Sequence, residues 1–205
     1  MRSARERLVA ELRRHVADER VLEAIRTVPR DVFVPPDLRR EAWDNIPLPI
    51  GSGQTISQPL VVARMCEVLE LRGDEAVLDV GTGSGYHAAI LARLARHVFS
   101  IEVHPELSTG AGRALAEAQV GNVTLVVGDG TRGLPEHAPY DAVNVAAAAG
   151  GGVPQALAEQ LTPGGRLVAP VSDGDQRLVL ARRTPEGLAV TELERVRFVP
   201  LVTRG

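Results

Sequence analysis

The chain has 205 residues, 44% hydrophobic and 24% charged, with a net charge of −3; this fits one domain able to bury its own core. All 23 basic residues are Arg and Cys66 is the only cysteine, which excludes Schiff-base chemistry, a phosphate-loop Lys, intramolecular disulfides and thiolate zinc clusters. The charge balance argues against a general nucleic-acid binder, and no apolar run reaches the ~18–20 residues of a membrane span or resembles a signal peptide, so a cytoplasmic protein is expected.

Leu8, Leu12 and Val16, then Val21, Leu22, Ile25 and Val28, recur at helical spacing and predict two short amphipathic helices capping a larger sheet. Glu6, Glu11, Glu19 and Glu23 interrupt the Arg residues of this segment, so it lacks a continuous positive face for DNA. Residues 29–59 hold Pro29, Pro35, Pro36, Pro47, Pro49 and Pro59 with Gly51 and Gly53, which forbids one long helix or a central strand. The stretch also carries Phe33, Val34, Trp43, Ile46, Leu48 and Ile50, so it reads as an ordered, functional loop system packed on the main domain.

Val61, Met65, Val68 and Leu69 predict a helix face ending near Gly73. Strand-like runs follow at 76–80, 97–101, 123–127, 142–145, 166–170 and 177–181, with helical stretches at 84–95, 105–118 and 153–161 between the first five. This alternation predicts an α/β fold, with a mostly parallel sheet and helices on both faces. Residues 146–152 read as the loop after the fourth strand. Beyond Pro163-Gly164-Gly165, strands at 177–183 and 188–199 are expected to pair antiparallel.

The strongest local signal is Asp79-Val80-Gly81-Thr82-Gly83-Ser84-Gly85-Tyr86, a buried strand running into a glycine loop and a helix. Glycines let the backbone turn sharply and approach a ligand where a Cβ would clash. The Asp-x-Gly-x-Gly-x-Gly spacing is neither the dinucleotide fingerprint nor a phosphate loop. An acid at the strand end would repel a pyrophosphate but suits the cationic end of S-adenosylmethionine. Glu102 closes the second strand, where a carboxylate would meet ribose hydroxyls, and Asp129-Gly130 follows the third, within reach of an adenine. After the fourth strand, Asn144-Val145-Ala146-Ala147 lacks the Pro-Pro-aromatic pattern of base-amino methyltransferases, which leaves an acceptor already nucleophilic, such as a carboxylate. The segment from Pro49 to Pro59 is the candidate acceptor site; Ser57 can be an N-cap of the following helix and, compatibly with that, a docking point for that carboxylate.

The chain resembles the protein-L-isoaspartate O-methyltransferase family over nearly its whole length. The resemblance rests on residues 28–35, 47–51, 53–57, 79–86, 100–102, 127–130, 161–168 and the tail 196–202. It implies a seven-stranded, doubly wound methyltransferase sheet with its last two strands placed differently from most relatives. It also implies a single domain, with helical cap and acceptor loops at 1–59 and the cofactor-binding core at 60–205. The implied reaction is methyl transfer from S-adenosylmethionine to isoaspartyl α-carboxylates in proteins and peptides, leaving S-adenosylhomocysteine and starting repair through a succinimide. The active-site Ser carries over to Ser57, with Gln54, Thr55 and Ile56 as substrate contacts. The cofactor contacts carry over to Asp79, Gly81, Thr82, Gly83, Gly85, Glu102, Asp129 and Gly130. A monomer using no metal, binding no nucleic acid and touching no membrane is expected. Ser52, Gln58, Ala146 and Gly150 depart from the family pattern on the acceptor side, which leaves open an enzyme dedicated to one modified peptide. A non-catalytic S-adenosylmethionine-binding protein is the other alternative.

Overall fold

The computed structural model describes residues 3–202. Helices α1 (Ala4–Leu12) and α2 (Glu19–Thr27) form the expected pair. The first is closed by a capping box between Ser3 and Glu6, the second by the Asp18 carboxylate accepting from Arg20 N at 2.8 Å. Their apolar faces join a core cluster that runs through to the central sheet.

The proline-rich stretch is more ordered than a loop system. It contains 3₁₀ turns at Arg30–Phe33 and Pro36–Leu38 and an antiparallel hairpin of β1 (Leu48–Gly51) and β2 (Gln54–Ile56). Gly51, Ser52 and Gly53 all have positive φ at its tip. Helix α3 (Pro59–Val68) buries Val62, Ala63, Met65 and Cys66. Of the predicted face, Met65 and Leu69 are fully buried, while Val61 and Val68 are only partly buried against the core and Val61 also lines a cleft.

The main sheet runs in the order β10-β9-β8-β6-β3-β4-β5. Its strands are β3 (Ala76–Val80), β4 (His97–Glu102), β5 (Val123–Val127), β6 (Tyr140–Val145), β8 (Leu161–Asp173), β9 (Asp175–Thr184) and β10 (Gly187–Arg195). Strands β5, β4, β3, β6 and β8 are mutually parallel, and β8-β9-β10 is an antiparallel meander. The chain leaves β3 toward β4 and β5, then returns to β6 on the other side. This reversal opens the crevice at the carboxyl ends of β3 and β6 where ligands of such sheets bind. Helices α4 (Tyr86–Leu94) and α5 (Pro105–Glu117) follow β3 and β4.

Three expectations need correction. The helix expected at 153–161 is only α6 (Gln155–Ala158), because Pro154 delays its start and Leu161 already pairs with Tyr140. Ala149–Gly150, expected as loop, forms β7 against Val171 and Ser172 of β8. The last strand stops at Arg195 rather than 199, where the Gln176 backbone and side chain accept from Val196 N and Phe198 N and divert the tail. The tail then bridges Ala148 across the top of the sheet. Among the described residues, no helix is long and apolar enough to cross a membrane.

Candidate active site

The glycine loop takes its shape from β4. Gly81 N and Thr82 N both donate to Ile101 O, at 2.9 and 3.3 Å. Gly83 N donates to Glu102 Oε2 at 2.8 Å, and Thr82 Oγ1 lies 2.6 Å from Ser100 Oγ. Gly81 and Gly83 hold φ of +93° and +53°, where L side chains are strained. A Cβ on Gly130 would come within 2.6 Å of Val80 Cγ1, so only glycine fits beneath that wall.

These residues line a cleft of about 750 Å³, its open mouth included. Gly81, Thr82, Gly83, Glu102 and Gly130 line it, together with Gln54, Thr55, Ile56 and Ser57. Glu102 is only 5% exposed, and its oxygens accept from Gly83 N and from His104 N at 3.0 Å. A carboxylate has about four lone-pair directions, so Glu102 retains capacity for a ligand's hydroxyls. A narrow glycine wall beside a buried carboxylate with spare acceptor capacity fits the sugar and amino-acid portions of S-adenosylmethionine.

Three predicted cofactor residues do not line this cavity. Asp79 is fully buried beneath the loop, accepting from Ser100 Oγ and Asn144 Nδ2, each at 2.7 Å. Burial pushes its carboxyl up to about 6, opposed by those two hydrogen bonds. Gly85 is the left-handed N-cap of α4, where a Cβ would sit 3.1 Å from Ala111 Cβ; it lets α4 and α5 pack closely. The Asp129 carboxylate accepts from Thr131 N and Thr131 Oγ1, capping a 3₁₀ turn. Sequence reasoning missed Ser84, His87 and His104 on the cavity wall, and the tail residues Val199, Pro200, Leu201 and Val202, which also face this cavity. Only an alternation of strand ends and loops was available as a signal, and it does not reveal a tail crossing the sheet.

A second cavity of about 920 Å³, again counting its opening, adjoins the first. Thr55, Ser57, Ala146 and Val199 line both, while Pro47, Gln58, Val61, Arg195 and Arg197 belong to the second. The N-cap of α3 is Gln58 rather than Ser57, and Asn45 Oδ1 accepts from Leu60 N at 3.0 Å in the helix's first turn. The half-buried Ser57 hydroxyl has no hydrogen-bond partner among the described residues and sits on the wall common to both spaces. Of the departing residues, Gln58 and Ala146 line the second cavity, Ser52 bonds Glu106 Oε1 at 2.8 Å, and Gly150 lies in β7.

Comparison with known proteins agrees with this geometry. The family described as protein-L-isoaspartate(D-aspartate) O-methyltransferase matches residues 3–205. A protein-L-isoaspartate O-methyltransferase 1 from an Anaeromyxobacter species is 56% identical, over 94% of both chains. Another of that name, from Syntrophobacter fumaroxidans, is 50% identical over 97% of this chain and 94% of its own length. A solved protein-L-isoaspartate O-methyltransferase superposes with a TM-score of 0.85 at 28% identity, covering 98% of this chain and 66% of that one. A Plasmodium falciparum structure, titled as a putative enzyme of this kind in complex with S-adenosyl-L-homocysteine, covers both chains fully at a TM-score of 0.84; at 23% identity it speaks for the fold alone. The chain belongs to the protein-L-isoaspartate(D-aspartate) O-methyltransferase family.

Proposed function

We propose that this chain methylates the free α-carboxylate of L-isoaspartyl residues in damaged proteins and peptides, and that Ser57 is the residue that positions the acceptor. The carrying observation is the unpartnered Ser57 hydroxyl on the wall between the glycine-loop cavity and the second cavity. S-adenosylmethionine, when bound, supplies an electrophilic methyl group on a sulfonium. A carboxylate with a pKa of about 4 is already ionised at neutral pH, so the protein need not remove a proton. Its task is alignment and exclusion of water.

In this reading Ser57 donates a hydrogen bond to one acceptor oxygen and leaves the other free to attack, contributing about 10- to 100-fold to rate. Gly81, Thr82, Gly83, Glu102 and Gly130 hold the cofactor directly. Asp79, Gly85 and Asp129 support them from behind, through hydrogen bonds, helix packing and a turn cap respectively. Gln54, Thr55 and Ile56 border the peptide, and the segment 1–59 acts as the acceptor side of one domain. The reading includes a cytoplasmic monomer acting on protein rather than nucleic acid, supported for the latter by the net charge of −3.

A radiolabelled methyl-transfer assay on paired Asp and isoAsp peptides of several unrelated sequences tests this. Label is expected on every isoAsp peptide and on no Asp peptide. Label on both, or on neither, overturns the proposal, and label on a single sequence replaces repair with a dedicated modification.

A further inference from the structure

Four polar side chains beneath the glycine loop form a continuous hydrogen-bonded seam across three adjacent strands. Asp79 on β3 accepts from Ser100 Oγ on β4 and from Asn144 Nδ2 on β6, each at 2.7 Å. Ser100 Oγ in turn lies 2.6 Å from Thr82 Oγ1, in the loop that lines the cofactor cavity. Asp79, Ser100 and Asn144 are 0% exposed and Thr82 is 3% exposed.

Counting protons gives the seam a direction. Ser100 has one hydroxyl proton, and the Asp79 carboxylate takes it. Thr82 must therefore donate to Ser100, and its own oxygen keeps only acceptor capacity. With this bond, Thr82 is tied to β4 twice, by its backbone to Ile101 and by its side chain to Ser100.

We infer that Ser100 is a positioning residue for the cofactor, relaying the buried Asp79 carboxylate to Thr82 and so fixing the glycine loop in its ligand-ready shape. The inference rests on the proposed cofactor site and adds a residue that does not line the cavity. Asp79 thus acts on the cofactor through Ser100 and Thr82 rather than by touching it. Asn144 donates to the other carboxylate oxygen, so β4 and β6, the two neighbours of β3, are both bonded to the same group.

Calorimetric titration with S-adenosylhomocysteine tests the relay on wild type, Ser100→Ala, Thr82→Val, Thr82→Ser and the Ser100→Ala/Thr82→Val double variant. Breaking one neutral hydrogen bond is expected to weaken binding roughly 3- to 10-fold in each of Ser100→Ala and Thr82→Val. The double variant should match the singles rather than multiply them, because both remove the same link. Thr82→Ser, which keeps the hydroxyl, should recover most of the affinity that Thr82→Val loses. In turnover, Ser100→Ala should raise KM for the cofactor by the same factor and leave KM for the isoaspartyl peptide alone. Wild-type affinity in a folded Ser100→Ala protein, or multiplicative losses, would overturn the relay alone. Failure of the wild-type chain to bind S-adenosylhomocysteine would overturn the cofactor site as well.

Discussion

The two walls of the cleft are built differently. On the cofactor side, residues 81, 82 and 83 each bond to the segment 101–102, and Thr82 and Glu102 are almost wholly buried. On the acceptor side, Thr55 is exposed, Ser57 carries an unpartnered hydroxyl, and Arg195 and Arg197 are exposed. A wall that receives the same small molecule in every turnover gains by being preorganised, because ordering it at each binding event would cost affinity. A wall that receives varied peptides gains by leaving groups unpaired until the peptide arrives. The contrast predicts that substitutions on the first wall change cofactor affinity and those on the second change rate and peptide choice.

The largest expected effect is on the rigid wall. Gly83 holds φ +53°, and an added Cβ would already lie 3.3 Å from Ile50 Cδ1. Gly83→Val should abolish measurable S-adenosylmethionine binding, by calorimetry, in a chain that remains folded. Unchanged affinity would mean that the loop does not hold the cofactor. Glu102→Ala should weaken binding by about 1–3 kcal/mol, the loss of a charge-assisted hydrogen bond.

On the open wall, Ser57 separates rate from affinity. Because Asn45 and Gln58 stand at the start of α3, Ser57→Ala should leave the melting temperature nearly unchanged. Its single-turnover methyl transfer should fall about 10- to 100-fold, with cofactor affinity intact. Ser57→Asp should be slower still, since a second carboxylate would face the acceptor in a partly dehydrated site. A Ser57→Asp protein as active as wild type would remove Ser57 from the chemistry.

The same division explains what could be read from the sequence. Strands such as the buried Ala76–Val80 and the half-buried edge strand Val123–Val127 match their expected bounds residue for residue, because parallel strands are short apolar runs bounded by turn signals. The glycine loop was legible because its backbone conformation demands glycine at particular spacings, and Gly81, Gly83 and Glu102, the last read from its strand-end position, do line the cleft. Asp79 and Asp129 were assigned to the ligand because strand-end position does not show where a side chain points. Ser57 carried two readings until Gln58 emerged as the N-cap, a one-residue difference that local pattern does not resolve. Ser100 was quoted only within a matching segment, since a small polar residue in a strand gives no sign of its partners across the sheet.

The buried seam makes a prediction about pH. Burial raises the Asp79 carboxyl from 3.8 to about 6, so folding favours its protonated form; this contribution is present below pH ~4 and lost as pH rises toward 6. His87, bonded to Asn144 and Cys66, is held neutral, its pKa lowered by burial from 6.5 to about 3. Its contribution is present above pH 6.5 and lost as pH falls toward 3. Between about pH 4 and 6 the two slopes oppose each other, each near 1.4 kcal/mol per pH unit at most. Relative to wild type, His87→Gln should therefore lose stability as pH rises through this window, and Asp79→Asn should gain it. Urea unfolding at pH 4, 5 and 6 reads both differences. Parallel curves for the three proteins would show that neither group titrates as the geometry requires.

The smallest effect is expected at the rim of the open wall. Arg197 lines the acceptor cavity and has no ion-pair partner among the described residues, whereas its neighbour Arg195 pairs with Asp175 at 3.2 Å. An unpaired guanidinium beside a peptide cleft should favour an acidic side chain next to the isoaspartate and disfavour a basic one. The group is exposed, so screening limits the discrimination to about 2- to 5-fold, roughly 0.5–1 kcal/mol. Comparing kcat/KM for isoaspartyl peptides that differ only by Glu or Lys at a flanking position measures it. In Arg197→Ala the ratio should fall toward one, and in wild type it should shrink as salt rises from 0.05 to about 0.5 M, where the Debye length drops below ~5 Å. Cofactor affinity should stay the same throughout, because Arg197 does not line the glycine-loop cavity. A charge preference that survives Arg197→Ala would assign it to another group on the acceptor wall and leave Arg197 as a solvated surface residue.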